Sequence, residues 1–151
     1  EFSGLEHRCQ LVGECQQIKY YNDSKGTNVG AAIAAIEGLA AVAKKVILIA
    51  GGDAKGADFS PLLPVLKQFA RAIVVIGEAS EQLLELCDDE IIAVRASSLQ
   101  QAVEKAAILA ESGDAVLLSP ACASFDMFEN YQHRGDVFCA AVSLLVTRSE
   151  S

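Results

Sequence analysis

Short apolar runs and amphipathic stretches alternate along this chain, separated by polar loops, and the spacing predicts the elements. Arg8 to Val12 and Gln16 to Tyr21 read as two strands around Gly13-Glu14, a plausible hairpin turn. The polar, glycine-containing segment 22–28 is a loop, and Thr27 or Asn28 is placed to cap a helix from about Val29 to Ala43. Within it Val29, Ile33, Ile36, Leu39 and Ala43 recur at steps of three and four, the mark of one buried face. Lys45 to Ala50 is apolar without alternation, which suits a strand covered on both sides. Loop 51–58 follows, and Ser60-Pro61 is expected to open a second helix, with serine at the cap and proline in the first turn.

The alternation continues to the end. Ala72 to Ile76 is a strand ending at Gly77, a short helix begins near Ser80, and Glu90 to Val94 is a strand. Ser98 with Gln101 resembles a capping box and opens a helix to about Glu111. After the turn Ser112-Gly113-Asp114 come a strand, Ala115 to Leu118, a polar loop from Ser119, and a last helix from about Gly135 to Val146. Repeated strand–loop–helix units predict an α/β fold, a Rossmann-like, mostly parallel sheet flanked by helices, with an N-terminal β-hairpin. Ligands of such sheets gather at the carboxyl ends of strands, so loops 22–28, 51–58 and 119–131 should converge there.

Composition narrows the partners. The 151 residues are 52% hydrophobic and 21% charged, a globular balance with a prior of one domain. The formal net charge of -8, with no basic run longer than Lys44-Lys45, argues against nucleic acid and anionic membrane. Five cysteines without a C-x-x-C pair make a zinc site or disulfide framework improbable, and free thiols fit a reducing, cytoplasmic location. No apolar run approaches a membrane span. The start, Glu1-Phe2-Ser3-Gly4, lacks an initiator methionine and reads as a cut end or cloning remnant. Residues 1–6 are then a linker, 7–148 the domain and 149–151 a tail, in a chain expected to be monomeric.

Three loops carry candidate chemistry. Segment 22–28 holds Asp23, Ser24, Lys25, Thr27 and Asn28 at a helix N-terminus, where backbone N–H groups, the helix dipole and Lys25 favour an anion; an ordinary capped loop is the bland alternative. Segment 51–58 has paired glycines and Lys55, but Gly56 follows the lysine, so it is not a Walker A loop, and no other segment supplies one. The chain by itself should not cleave ATP as P-loop enzymes do. In segment 119–131, Ser119 and Ser124 suit a carboxylate, while Cys122 is better read as a buried structural thiol than as a nucleophile. His7 and His133 are too few for a metal site, and His133 reads as surface.

Together these motifs resemble those of the Mur ligase family, specifically the C-terminal domain of its D-glutamate-adding branch. Asn22-Asp23-Ser24-Lys25-Gly26-Thr27-Asn28 is similar to N-D-S-K-A-T-N, and Gly51-Gly52-Asp53-Ala54-Lys55 with Asp58-Phe59 to G-G-D-x-K-x-x-D-F. Leu117 to Ser124 with Asp126, Phe128, Asn130 and Arg134-Gly135 resembles L-L-S-P-A-C-A-S-x-D-x-F-x-N-[FY]-x-x-R-G, and His7-Arg8 matches the H-R that opens the domain. The departures are Gly26 in place of alanine, expected to loosen the loop, and Tyr131 in place of phenylalanine.

The resemblance implies a three-domain enzyme that forms an amide with D-glutamate on UDP-N-acetylmuramoyl-L-alanine, through an acyl phosphate, in peptidoglycan precursor synthesis. ATP and Mg2+ would be held mainly by a central P-loop domain, and this domain in isolation would be inactive. By position, Thr27 and Lys55 would hold one carboxylate of D-glutamate, and Ser124 with the backbone near Tyr131 the other. Arg8 and Asp23 would meet the adenosine part of the nucleotide, and Lys25 the phosphates. Two other readings stay open: a stand-alone small-anion-binding module, and a sister ligase domain that takes another amino acid.

Overall fold

The stretch Val46–Gly51 is buried at every position, as its unbroken apolar character requires. It is the third strand of the computed structural model, which describes residues 9–123 and 127–150. In chain order the elements are β1 (Gln10–Cys15), β2 (Ile18–Asn22), α1 (Val29–Ala40), β3 (Val46–Gly51), α2 (Leu62–Phe69), β4 (Ala70–Ile76), α3 (Ser80–Cys87), β5 (Ile92–Arg95), α4 (Leu99–Leu109), β6 (Ala115–Leu118) and α5 (Tyr131–Glu150). One six-stranded sheet runs β1-β2-β6-β3-β4-β5. The β1–β2 pair is antiparallel, and the pairs β2–β6, β6–β3, β3–β4 and β4–β5 are parallel.

Successive side chains of a strand point to opposite faces, so β3 feeds two cores. Val46, Leu48 and Ala50 face α1, α2 and α3, meeting Ile36, Leu39, Leu62, Leu66 and Leu83. Ile47 and Ile49 face α4 and α5, meeting Leu99, Val103, Phe138 and Val142. The three-layer α/β architecture expected from the alternation is therefore present.

Local predictions meet the structure unevenly. The hairpin turn lies at Gln16-Gln17, whose φ values of 55° and 65° supply the left-handed pair such a turn needs. Gly13 instead sits inside β1 beside a register shift, where a Cβ would stand 2.8 Å from Val142 Cγ1. The glycine serves close packing under α5, and glutamines make the turn. Asn28 caps α1 by accepting the Ala31 N–H at 2.8 Å, but the helix ends at Ala40 rather than Ala43.

Ser60 does not cap α2; Pro61 stands at that position without a side-chain hydrogen bond, and the Ser60 N–H donates to Asp58 Oδ1. Ser98 does cap α4, accepting from the Gln101 N–H, while Gln101 Oε1 reaches back to the Ser97 N–H. Helix α5 begins at Tyr131, one turn before the predicted start, because Asn130 accepts the His133 N–H on its side chain and the Arg134 N–H on its carbonyl. It continues to Glu150, past the predicted end near Val146.

Candidate functional site at the carboxyl ends of the central strands

The strand order places β2, β6 and β3 side by side, so the loops that leave their carboxyl ends are neighbours. Backbone bonds extend the ladder into those loops. Asp23 N–H donates to Leu118 O at 2.7 Å, Gly51 N–H to Pro120 O at 3.0 Å and Ala121 N–H to Gly26 O at 3.0 Å. Asp53 and Ala123 exchange both backbone bonds as an isolated bridge. The convergence expected from topology is thus built from specific hydrogen bonds.

Loop 23–28 is organised around two buried side chains. Asn22 Oδ1 accepts the Ser24 N–H, which turns the chain as it leaves β2. Asp23 is buried, and its two carboxylate oxygens accept from the Cys9 N–H at 3.1 Å and the Ser119 Oγ at 2.8 Å. Burial, and then the Asp23 charge, push the Cys9 thiol up to about 12, so it remains protonated at neutral pH. Gly26 tightens the loop where loosening was expected: a Cβ there would stand 2.6 Å from Asp23 Oδ2 and 2.7 Å from Ser119 Oγ. Its N–H and carbonyl are also both bonded, to Asp23 O and from Ala121 N–H.

Loop 51–58 depends on its paired glycines. Gly51 and Gly52 have φ of 135° and 132°, and their close approach is to the protein's own backbone, at Ile76 O and Ala123 O. Helix α3 steadies the loop, with Ala79 N–H donating to Gly52 O and Gln82 Nε2 to Ala57 O at 2.9 Å. Lys55 lies exposed at the tip with φ of 50°, and its N–H donates to Asp53 Oδ1.

Arg134 joins loop 23–28 to the loop that follows β6, a role that its motif did not give it. It is 0% exposed. Its Nε donates to Ser24 Oγ at 3.0 Å, Nη2 to Ser24 O at 2.8 Å and Nη1 to Cys122 O at 3.0 Å. Ser24 Oγ in turn donates to Tyr131 O at 2.6 Å. A sequence signal for this burial exists: Arg134, Phe138, Ala141 and Val142 fall on one face at helical spacing.

Of the predicted site residues, Lys25, Thr27 and Lys55 are exposed on the converging loops, and half-buried Tyr131 opens α5. Lys25 Nζ lies 5.9 Å from the centre of the Tyr131 ring, within reach of a cation–π contact. Arg8 and Ser124 lie outside the described residues, as do His7 and the expected linker at 1–6. Cys122 is buried and His133 is exposed, its Nδ1 accepting the Glu129 N–H. Among the described residues no group of three His, Cys, Asp or Glu side chains is placed to hold a metal ion, and no helix is long and apolar enough to cross a membrane. The arrangement offers exposed cations and the N-termini of two helices, α1 and α5, at one edge of the sheet, a setting for an anionic ligand.

The family model described as "Mur ligase, glutamate ligase domain" matches residues 7–122. A UDP-N-acetylmuramoylalanine–D-glutamate ligase of Pseudomonas savastanoi pv. phaseolicola is 56% identical over 146 residues, which is 96% of this chain and 33% of that protein. The ligase of the same name from Coxiella burnetii is 53% identical over the same shares. The chain therefore spans about a third of the length of the curated relatives it matches.

Solved structures share the fold. A domain of a UDP-N-acetylmuramate:L-alanyl-γ-D-glutamyl-diaminopimelate ligase from Haemophilus ducreyi aligns with TM-score 0.62 at 18% identity, covering 94% of this chain and 99% of that one. The folylpolyglutamate synthase of Mycobacterium tuberculosis, complexed with ADP, aligns with TM-score 0.67 at 12% identity, covering 91% and 32%.

Proposed function

The chain belongs to the Mur ligase family, through its glutamate ligase domain, and from that premise we propose that it is the amino-acid-binding part of an ATP-dependent ligase that adds D-glutamate to UDP-N-acetylmuramoyl-L-alanine. The observation that carries the reading is the gathering of Lys25, Thr27 and Lys55, on loops at the carboxyl ends of β2 and β3, with Tyr131 at the start of the helix that follows β6. Thr27 and Lys55 hold one carboxylate of D-glutamate. Ser124 and the backbone near Tyr131 hold the other, at the dipole-positive start of α5.

Glutamate fixed by both carboxylates has its amine as the remaining reactive end. This chain's contribution to the reaction is then proximity, the amine being aligned on an activated carboxyl carbon. ATP with its divalent cation would be held mainly by a P-loop domain of the whole ligase and would supply the activation, phosphoryl transfer to that carboxyl with release of ADP. Toward the nucleotide, Lys25 offers an exposed ammonium at the N-terminus of α1 for the phosphates. Arg8 and Asp23 meet the adenosine part, Asp23 with a carboxylate that also accepts from the Cys9 N–H and the Ser119 hydroxyl.

Titration of D-glutamate into the chain, followed by amide NMR, tests the reading. Shifts are expected at Thr27, Lys55 and Tyr131, with L-glutamate weaker. Absence of any shift, or shifts by phosphate alone, would remove the glutamate site and favour a small-anion module. In a ligase that contains this domain, Lys55→Ala should raise KM for D-glutamate about tenfold or more with a smaller change in kcat, the loss of one charge-assisted bond. An unchanged KM would take Lys55 out of the site.

A further inference from the structure

We propose that the Ser24 hydroxyl sets the length of dicarboxylate that the site accepts, by tying the loop that carries Lys25 and Thr27 to the first residue of α5. This rests on the glutamate reading above, and on a bonding pattern that admits one arrangement. Arg134 is a donor only, so the Nε contact at 3.0 Å makes Ser24 Oγ an acceptor there. The single hydroxyl proton is then directed to Tyr131 O at 2.6 Å. Ser24 is fully buried, so water does not replace the bond.

The covalent neighbours of this link are the groups assigned to the ligand. Lys25 follows Ser24 directly and Thr27 two residues later, and Tyr131 opens the helix whose N-terminus takes the second carboxylate. The span between the two carboxylate-holding ends is therefore bridged at Ser24, whose hydroxyl donates to Tyr131 O and accepts from Arg134 Nε of the same helix. Arg134, on the first turn of the same helix, adds to this tie through Nη2 on Ser24 O, while its Nη1 on Cys122 O joins α5 to the loop after β6. Without the hydroxyl two of these bonds are lost, to Tyr131 O and from Arg134 Nε, and the first residue of α5 is held less closely to the loop, with Arg134 Nη2 on Ser24 O as the remaining tie. A ligand one methylene shorter or longer is then discriminated less.

The test compares D-glutamate, D-aspartate and D-2-aminoadipate by NMR titration of the chain, as wild type, Ser24→Ala and Ser24→Cys. Wild type is expected to prefer D-glutamate by about tenfold or more over either neighbour, the range usual for one methylene. In Ser24→Ala both ratios should fall by about fivefold, the scale of one neutral hydrogen bond. Ser24→Cys keeps the bulk but donates weakly, and should fall between; it carries the test if the alanine variant does not fold. Equal weakening of all three ligands, or unchanged ratios in a folded variant, would make Ser24 structural and overturn the proposal. A wild type that binds D-glutamate without discriminating length would also overturn it, while leaving the glutamate site standing. A wild type that binds none of the three would remove both.

Discussion

Two arginines hold opposite edges of the same sheet, and they do so differently. At the amino edge Arg71, early in β4, meets charge with charge: Nε and Nη2 grip both oxygens of Asp114 at 2.6 and 3.1 Å, and Nη1 reaches Glu111. The hydrogen bond that it donates to Asp114 raises the guanidinium pKa further. Asp114 Oδ2 also accepts the Glu111 N–H, so the cluster locks the turn before β6. At the carboxyl edge Arg134 spends its fork on Ser24 Oγ, Ser24 O and Cys122 O, the first two 110 residues away in sequence. One arginine closes a turn; the other arranges loops whose outward residues are the candidate ligand groups. Stability is at stake at both edges, and binding at only one.

The largest effect is expected where both are coupled. Arg134→Ala leaves three buried oxygens without these donors, and should cost about 3–5 kcal/mol, at about 1–3 kcal/mol for each acceptor left unsatisfied. Urea denaturation measures the loss, and D-glutamate titration of whatever remains folded should show no saturable binding. Intact binding in a destabilised variant would break the comparison, since the loops would then hold their places unaided. Arg71→Ala should cost less, about 1–3 kcal/mol, because Arg71 retains some solvent contact while Asp114 is left buried. Its affinity for D-glutamate should match wild type; a weakened affinity would mean that the amino edge also shapes the site.

The fold was legible where one physical signal dominated. Val46 to Ala50 and Ala115 to Leu118 are too uniformly apolar for anything but strands covered on both faces. Asn28 and Ser98 cap their helices because a short polar acceptor before an apolar-periodic stretch has little else to do. Signals failed where tertiary contact outweighed local preference. Gly13 looked like a turn residue, yet its missing Cβ makes room for Val142, and two glutamines take the left-handed turn. The convergence of three loops was legible from topology, because consecutive parallel strands must release their loops at one end. The buried link through Ser24 and Arg134 was not, because partners 110 residues apart leave only a faint trace, an arginine on the apolar face of α5.

The smallest expected effect concerns Gly26, and it sharpens the contrast from within the carboxyl edge. Alanine at this position is not compatible with the present position of the Asp23–Ser119 bond, since its Cβ would fall 2.6 and 2.7 Å from the bonded oxygens. Both are ends of short side chains, so relaxation by rotation is open to them, at the cost of a hydrogen bond in a buried place. Gly26→Ala should therefore lower stability by about 1 kcal/mol, the net value of one such bond, offset by the smaller entropy that alanine loses on folding. In a Ser119→Ala background the bond is already gone and Asp23 is freer to move, so the same substitution should be nearly neutral. A double-mutant cycle read by urea denaturation would give that difference as a coupling. Equal costs in both backgrounds would mean that the strain of the added carbon falls on Asp23 and the loop backbone, and that Ser119 is a bystander at this edge.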